Sequence, residues 1–220
     1  MKNIVFLPGL GADKRLFEFI RTESSQNHYV HWVKPDAGES LQDYVKKIKE
    51  QVASVESPVL VGVSLGGIVA MELREMIPVS KTILISSIKC SEEKPTYFEW
   101  VKMIHLNEFI PPSLLKKGAP WIKPFLDSSN KEEAFRLFQE MAFDADEDFI
   151  NWGIRKVLDW EKADYDKTNI VHIHGTSDMV FPIRHLKHCD YPIAGGSHDI
   201  IMARADDVNT ILAKEIASAS

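Results

Sequence analysis

The stretch Val59-Leu60-Val61-Gly62-Val63-Ser64-Leu65-Gly66-Gly67-Ile68-Val69-Ala70-Met71 changes its periodicity halfway along. Val59 to Val63 is apolar apart from Gly62, as a strand buried on both faces would be. Beyond Ser64 the apolar positions spread to Leu65, Ile68, Val69, Met71 and Leu73, a helical spacing that ends before Pro78. A strand turning sharply into a helix therefore carries Gly62-Val63-Ser64-Leu65-Gly66, a G-x-S-x-G, at the turn.

A serine at such a junction is held in a strained backbone conformation that lifts its hydroxyl clear of the sheet edge. Side chains two positions before and after it would collide, which explains Gly62 and Gly66, and Gly67 lets the helix lie close to the sheet. The first amides of that helix, at the positive end of its dipole, point toward any oxyanion formed beside Ser64. The plainer alternative is a glycine-rich turn without chemistry. The sequence context favours the first reading, and the stretch resembles the nucleophile turn of the α/β-hydrolase family.

That resemblance implies further parts in a fixed order. Ile4 to Leu7 reads as a first strand, followed by Pro8-Gly9-Leu10-Gly11. This loop lacks the spacing of a phosphate-binding loop, so no nucleotide cofactor is expected. The resemblance instead gives it the second oxyanion amide, that of Leu10, beside the amide of Leu65. Many family members have His-Gly where this chain has Pro8-Gly9, but the donor is the following residue, so proline costs nothing. Tyr29 to Val33 reads as a second strand and Leu41 to Val55 as an amphipathic helix. Thr82 to Ser86 and Asn169 to His174 read as further strands, and Tyr191 to Ala194 as the last. Asp206 is expected to cap a closing helix through Val208, Ile211, Leu212 and Ile216. Alternating strands and helices predict a parallel sheet with helices on both faces.

Residues 91–168 differ in character, with most of the chain's aromatic residues and no β-alternation. Ala134, Leu137, Phe138 and Met141 mark one amphipathic helix, and Phe149, Ile150, Ile154, Val157 and Leu158 another. This segment corresponds to the family's helical cap, leaving residues 1–90 and 169–220 as the core of a single domain. Most of its aromatics are expected to pack as core, with Phe98, Trp100, Trp121 and Phe125 as candidates for an apolar cleft.

After the fifth strand, the run His-Gly-x-x-Asp-x-x-x-Pro places Asp178 where the family carries its acid, although an aspartate in a loop also stabilises turns unaided. His198 follows on Gly195-Gly196-Ser197, read as a flexible loop, and could equally be a surface histidine. The order Ser64, Asp178, His198 is that of the family's catalytic triad. His172 and His174 share one strand face and invite a metal, but no carboxylate or cysteine completes a ligand set. Packed, hydrogen-bonded histidines are the expectation, with no metal and no cofactor.

The chain has 220 residues, 45% hydrophobic and 26% charged, with a net charge of −6 and no basic run, which disfavours nucleic acid and anionic membranes as partners. No apolar run reaches membrane-spanning length and the N-terminus lacks signal-peptide features. Cys90 and Cys189 suit a reducing compartment, so a cytoplasmic location is expected. The first strand already feeds the oxyanion loop, which predicts a compact α/β-hydrolase sheet of about six strands. The expected activity is hydrolysis of a small or medium carboxylic ester or thioester through an acyl-enzyme on Ser64. The alternative is a non-hydrolytic small-ligand-binding protein on the same fold.

Overall fold

The structure, a computed structural model, describes residues 1–23, 25–103 and 132–219. Six strands are Lys2–Leu7 (β1), Ser25–Tyr29 (β2), Val59–Val63 (β3), Lys81–Ile85 (β4), Ile170–Gly175 (β5) and Tyr191–Ile193 (β6). They lie in the order β2-β1-β3-β4-β5-β6, and each neighbouring pair is parallel. The chain steps from β1 outward to β2, then returns to the other side of β1 with β3. Ligands in open α/β sheets bind where the strand order reverses in this way, at the carboxyl ends of the strands. The loops after β1 and β3 flank that point.

Strand alternation divides the core into two layers, as a parallel sheet covered on both faces requires. On one face Val5, Leu7, Leu60 and Leu84 pack with Tyr44, Val45 and Ile48 of the helix Leu41–Gln51 (α1) and with Ile68, Val69 and Leu73 of Leu65–Leu73 (α2). On the other, Ile4, Phe6, Val59, Val61, Ile83 and Ile85 pack with Ile200 to Met202 and with Val208, Leu212 and Ile216. Those partners come from two closing helices, separated below.

Between β4 and β5 the described residues form helices Tyr97–Met103 (α3), Glu132–Asp144 (α4) and Glu147–Asp159 (α5) and no strand, as expected of a helical insertion. Asp146 caps α5 by accepting from the Phe149 amide at 2.8 Å. Phe149 of α5 stacks on Trp32, Trp152 packs at a tilt against Tyr44, and the Trp152 indole donates to the Glu39 carbonyl at 3.0 Å. The insertion is thereby anchored on the core, with α5 against α2.

Three sequence expectations are corrected. The second strand is Ser25–Tyr29, not Tyr29 to Val33. The polar run Ser25 to His28 pairs in register with β1, while the backbone of residues 31 and 33 bonds side chains instead. His31 exchanges hydrogen bonds with the Gln51 amide, and Val33 with the Tyr44 hydroxyl. An edge strand needs no apolar face on its solvent side, so hydrophobicity pointed to the wrong four residues. Helix α1 stops at Gln51, short of Val55. The closing segment is two helices, Ile200–Ala203 (α6) and Ala205–Ala217 (α7), with Arg204 and not Asp206 at the α7 N-cap. Asp206 lies in the first helical turn, where it meets Arg21 at 3.1 Å. Among the described residues no helix is long and apolar enough to cross a membrane.

The nucleophile turn depends on close backbone approach. A Cβ on Gly62 would lie 2.5 Å from the Gly66 carbonyl oxygen, and one on Gly66 would overlap the carbonyl of Leu7. Both obstacles are backbone and cannot rotate away. At Gly38 the φ is +74° but nothing lies within 4 Å. Urea unfolding should therefore separate the two kinds of glycine. Gly62→Ala and Gly66→Ala are expected to lose about 3 kcal/mol or more through overpacking, and Gly38→Ala only about 1–2 kcal/mol through backbone strain.

Candidate active site

Ser64 joins β3 to α2 with φ 51° and ψ −116°, a left-handed conformation that a side chain adopts only when its surroundings impose it. Four contacts impose it here. The Ser64 amide donates to the Ile85 carbonyl at 3.0 Å, tying the turn to β4. Its carbonyl accepts from the amides of Gly67 at 2.9 Å and Ile68 at 3.3 Å, and from the Ser87 hydroxyl at 2.8 Å. With the backbone so held, the Ser64 hydroxyl projects from the carboxyl edge of the sheet.

The structure brings the three separated residues together. His198 Nε2 lies 3.0 Å from Ser64 Oγ, and His198 Nδ1 lies 2.8 Å from Asp178 Oδ2. An ionised carboxylate only accepts, so Nδ1 carries the proton and Nε2 is left as the acceptor for the serine hydroxyl. Asp178 Oδ1 is fixed separately, accepting from the amides of Val180 at 2.8 Å and Phe181 at 2.9 Å. Burial of Asp178 works to raise its pKa. The facing His198 and the hydrogen bonds from His174 and His198 prevail, holding it far below the ordinary carboxylate range. His198 is displaced the other way. Burial alone would lower its pKa, but the charge and hydrogen bond of Asp178 raise it above 6.5.

The histidine loop, expected to be flexible, is laced to the aspartate loop. Thr176 donates its amide to the Ile193 carbonyl at 3.0 Å, Ser177 to Gly196 at 2.9 Å, and the Gly195 amide reaches the Thr176 hydroxyl at 2.8 Å. The two loops follow adjacent strands, so their backbones meet, and Gly175 and Gly196 give them room to do so. Tyr97 of α3 steadies the same region, its hydroxyl lying 3.0 Å from the Met179 carbonyl and 2.7 Å from that of Val180.

The loop after β1 passes beside Ser64, since a Cβ on Gly9 would lie 3.6 Å from the serine Cβ. Its turn is held at the Gly9 carbonyl, which accepts from the Ala12 amide and the Trp32 indole, both at 3.2 Å. Leu10 thus follows directly on a residue in contact with Ser64, and Leu65 opens α2, where backbone amides have no helical partner. Above them lies Gly153 of α5. A Cβ there would come within 2.5 Å of Leu10 Cδ1 and 3.3 Å of Leu65 Cδ2, so the insertion rests on these two leucines.

Other candidates are placed as follows. Phe98 is buried against Phe181, whose ring in turn lies beside His198, while Trp100 is 66% exposed. Trp121 and Phe125 lie outside the described residues. His172 and His174 converge as strand alternation predicts, but on each other, with ring nitrogens 3.2 Å apart. Among the described residues no three His, Cys, Asp or Glu side chains gather as a metal would require. Both cysteines are free, and burial raises the pKa of each thiol. Ser87 and Tyr97 carried no signal in the sequence. A serine at a strand end and a tyrosine in an aromatic-rich segment are too common to single out.

The model of the alpha/beta hydrolase family matches residues 4–211, and the chain belongs to that family. No curated protein matches the sequence. Among solved structures, the esterase EaEST from Exiguobacterium antarcticum is similar at TM-score 0.76 and 18% identity, with 99% of this chain and 92% of that one covered. A bromoperoxidase from Bacillus anthracis is similar at TM-score 0.75 and 15% identity, over 99% and 92%. A thermophilic esterase from Thermogutta terrifontis is similar at TM-score 0.72 and 13% identity, over 100% and 90%. At such identities the likeness is one of fold.

The opposed forces on His198 give a direct test by histidine NMR. In the wild type the ring should titrate above pH 6.5, the ordinary imidazole value. In Asp178→Asn the burial, the largest influence, is opposed only by the more weakly acting charge of Asp199, and the titration should fall below that value.

Proposed function

We propose that this α/β-hydrolase is a serine hydrolase that cleaves a small or medium carboxylic ester or thioester through an acyl-enzyme on Ser64. The observation that carries this reading is the unbroken row from Ser64 Oγ to His198 Nε2, at 3.0 Å, and from His198 Nδ1 to Asp178, at 2.8 Å. A serine hydroxyl is a weak nucleophile unless a base takes its proton as it attacks. His198 is the base within reach, and Asp178 holds its ring in the tautomer that leaves Nε2 free.

In this reading Ser64 Oγ bonds to the substrate carbonyl carbon as its proton passes to His198 Nε2. The carbonyl π electrons move onto oxygen, and the amides of Leu10 and Leu65 stabilise the resulting charge. One such donor is typically worth about 10²–10³ in rate. Collapse of the tetrahedral adduct breaks the bond to the alcohol or thiol, which leaves with the proton held by His198. Water then adds to the acyl-serine, again giving its proton to His198, and the second collapse frees the acid and restores Ser64. No part of this sequence calls for a cofactor, and the partner is a small-molecule substrate. The helical insertion above Leu10 and Leu65 supplies apolar surface where the acyl or alcohol group would lie, which favours a partly apolar substrate.

A fluorophosphonate probe should label the wild type and not Ser64→Ala. Turnover of short p-nitrophenyl esters should fall on the order of 10⁴-fold or more in Ser64→Ala and His198→Ala. Labelling of neither protein, together with a ligand that raises thermal stability without being consumed, would establish the binding protein instead. Since His198 acts as a base only when neutral, kcat/KM should be lost as pH falls through its raised pKa. The acid limb is expected above pH 6.5.

A further inference from the structure

The hydrogen-bonded row does not end at Asp178. His174 Nε2 lies 3.3 Å from the same oxygen, Oδ2, that receives His198, and 2.7 Å from the Phe181 carbonyl oxygen. His174 Nδ1 meets His172 Nε2 at 3.2 Å, and His172 Nδ1 meets Lys89 Nζ at 3.3 Å. Lys89 is paired with Glu93, Nζ to Oε1 at 3.2 Å, and also donates to the His188 carbonyl. His172, His174 and Glu93 are fully buried and Lys89 is 5% exposed.

A buried carboxylate between two imidazoles offers two places for one proton. In the proposed reaction that proton must go to His198. A proton taken by His174 instead would neutralise Asp178 from the wrong side and set a cation against the His198 imidazolium. The row contains what breaks this tie. A lysine ammonium has donors and no acceptor, so contact with Lys89 favours a lone pair on His172 Nδ1 over an N–H turned to the nearby carbonyls of Ser87 and His188. The single proton of His172 then sits on Nε2 and points at His174 Nδ1, which must accept. The single proton of His174 is left on Nε2, facing Phe181 and Asp178. A second proton on His172 would lie on Nδ1 against the Lys89 ammonium, and one on His174 would lie on Nδ1 against the Nε2–H of His172, with no acceptor to meet it.

We propose that Lys89, neutralised by Glu93, is a positioning residue that fixes His172 and His174 as neutral Nε2–H tautomers, reserving the charge of Asp178 for His198. The proposal rests on the reading of Ser64, His198 and Asp178 as the reacting groups. It gives the His-x-His of β5 a task without a metal: His174 donates to the carboxylate but is barred from taking the proton. Around the row stand the remaining polar groups that bear on its titration. Asp190 Oδ2 accepts from the His172 amide at 2.8 Å and its Oδ1 meets the His188 ring at 3.1 Å. The Cys189 thiol reaches the His172 carbonyl, the carbonyls of Ser87 and His188 flank the His172 ring, and the Lys187 amide donates to Glu93 at 3.0 Å. Asp199 adds negative charge near His198.

The test is ¹⁵N-histidine NMR with parallel kinetics on the full chain. In the wild type, His172 and His174 should each carry a single proton, on Nε2. Lys89→Met/Glu93→Gln removes the ion pair together, so that neither charge is left buried alone. In that variant the fixed Nε2–H pattern should be lost, with protons appearing on Nδ1 of the two rings, and the His198 titration should move down. Near-neutral kcat should fall roughly tenfold, the scale on which outer hydrogen-bond partners act, with KM unchanged. His174→Gln can donate from the Nε2 position but cannot take a proton, and should keep most of the kcat that His174→Leu loses. A wild-type His172 protonated on Nδ1, toward the flanking carbonyls, would overturn the proposal whether or not the paired variant folds. So would a paired variant whose ring tautomers and pH profile match the wild type. The tautomers are read without turnover, so absence of esterase activity would sink the functional reading alone.

Discussion

Everything in this molecule answers to one backbone constraint, the left-handed conformation at Ser64. A serine gains nothing from that conformation by itself. It is held because the strand before it and the helix after it are pressed together and against both neighbouring strands, with hydrogen atoms where side chains would otherwise be. Gly66 meets the end of β1, Gly67 the Ser87 side chain beyond β4, and Gly62 the helix it precedes. The strain is thus distributed over contacts to the ends of three parallel strands. This is how a buried sheet presents a hydroxyl at its rim while staying apolar within.

The sheet was legible in the sequence because its central strands are covered on both faces, so their apolar runs are continuous and sharply bounded. β3, β4 and β5 fell within a residue or so of their expected places. Where burial stops deciding the pattern, sequence reading failed. Edge strand β2 is built from serine, glutamine, asparagine and histidine, and the apolar residues after it pack as loop, with their backbone groups satisfied by Gln51 and Tyr44. The closing helix was assigned a cap by residue type, whereas a break at Arg204 divides it in two.

The site shows the same division. Ser64, Asp178 and His198 could be named in advance because each follows a recognisable strand and the three occur in a telling order. The residues that hold them could not. Tyr97 on the Asp178 loop and Ser87 on the Ser64 carbonyl act through single hydrogen bonds between segments distant in the chain. Lys89 and Glu93 carried no signal in the sequence, yet both are enclosed, with Lys89 against the His172 ring of β5 and the His188 carbonyl. Periodicity records which face of an element is covered. It holds no information about which polar groups are enclosed together, and that is where the tuning of Asp178 and His198 arises.

Gly153 bears on how this protein can change. The helix that roofs the cleft is seated, through a residue with no side chain, on Leu10 and Leu65. Helix and leucines therefore share a seam, and the helix cannot tilt without shifting the leucines on which it sits. A side chain at residue 153 would have to lift the whole helix off the two loops that flank Ser64.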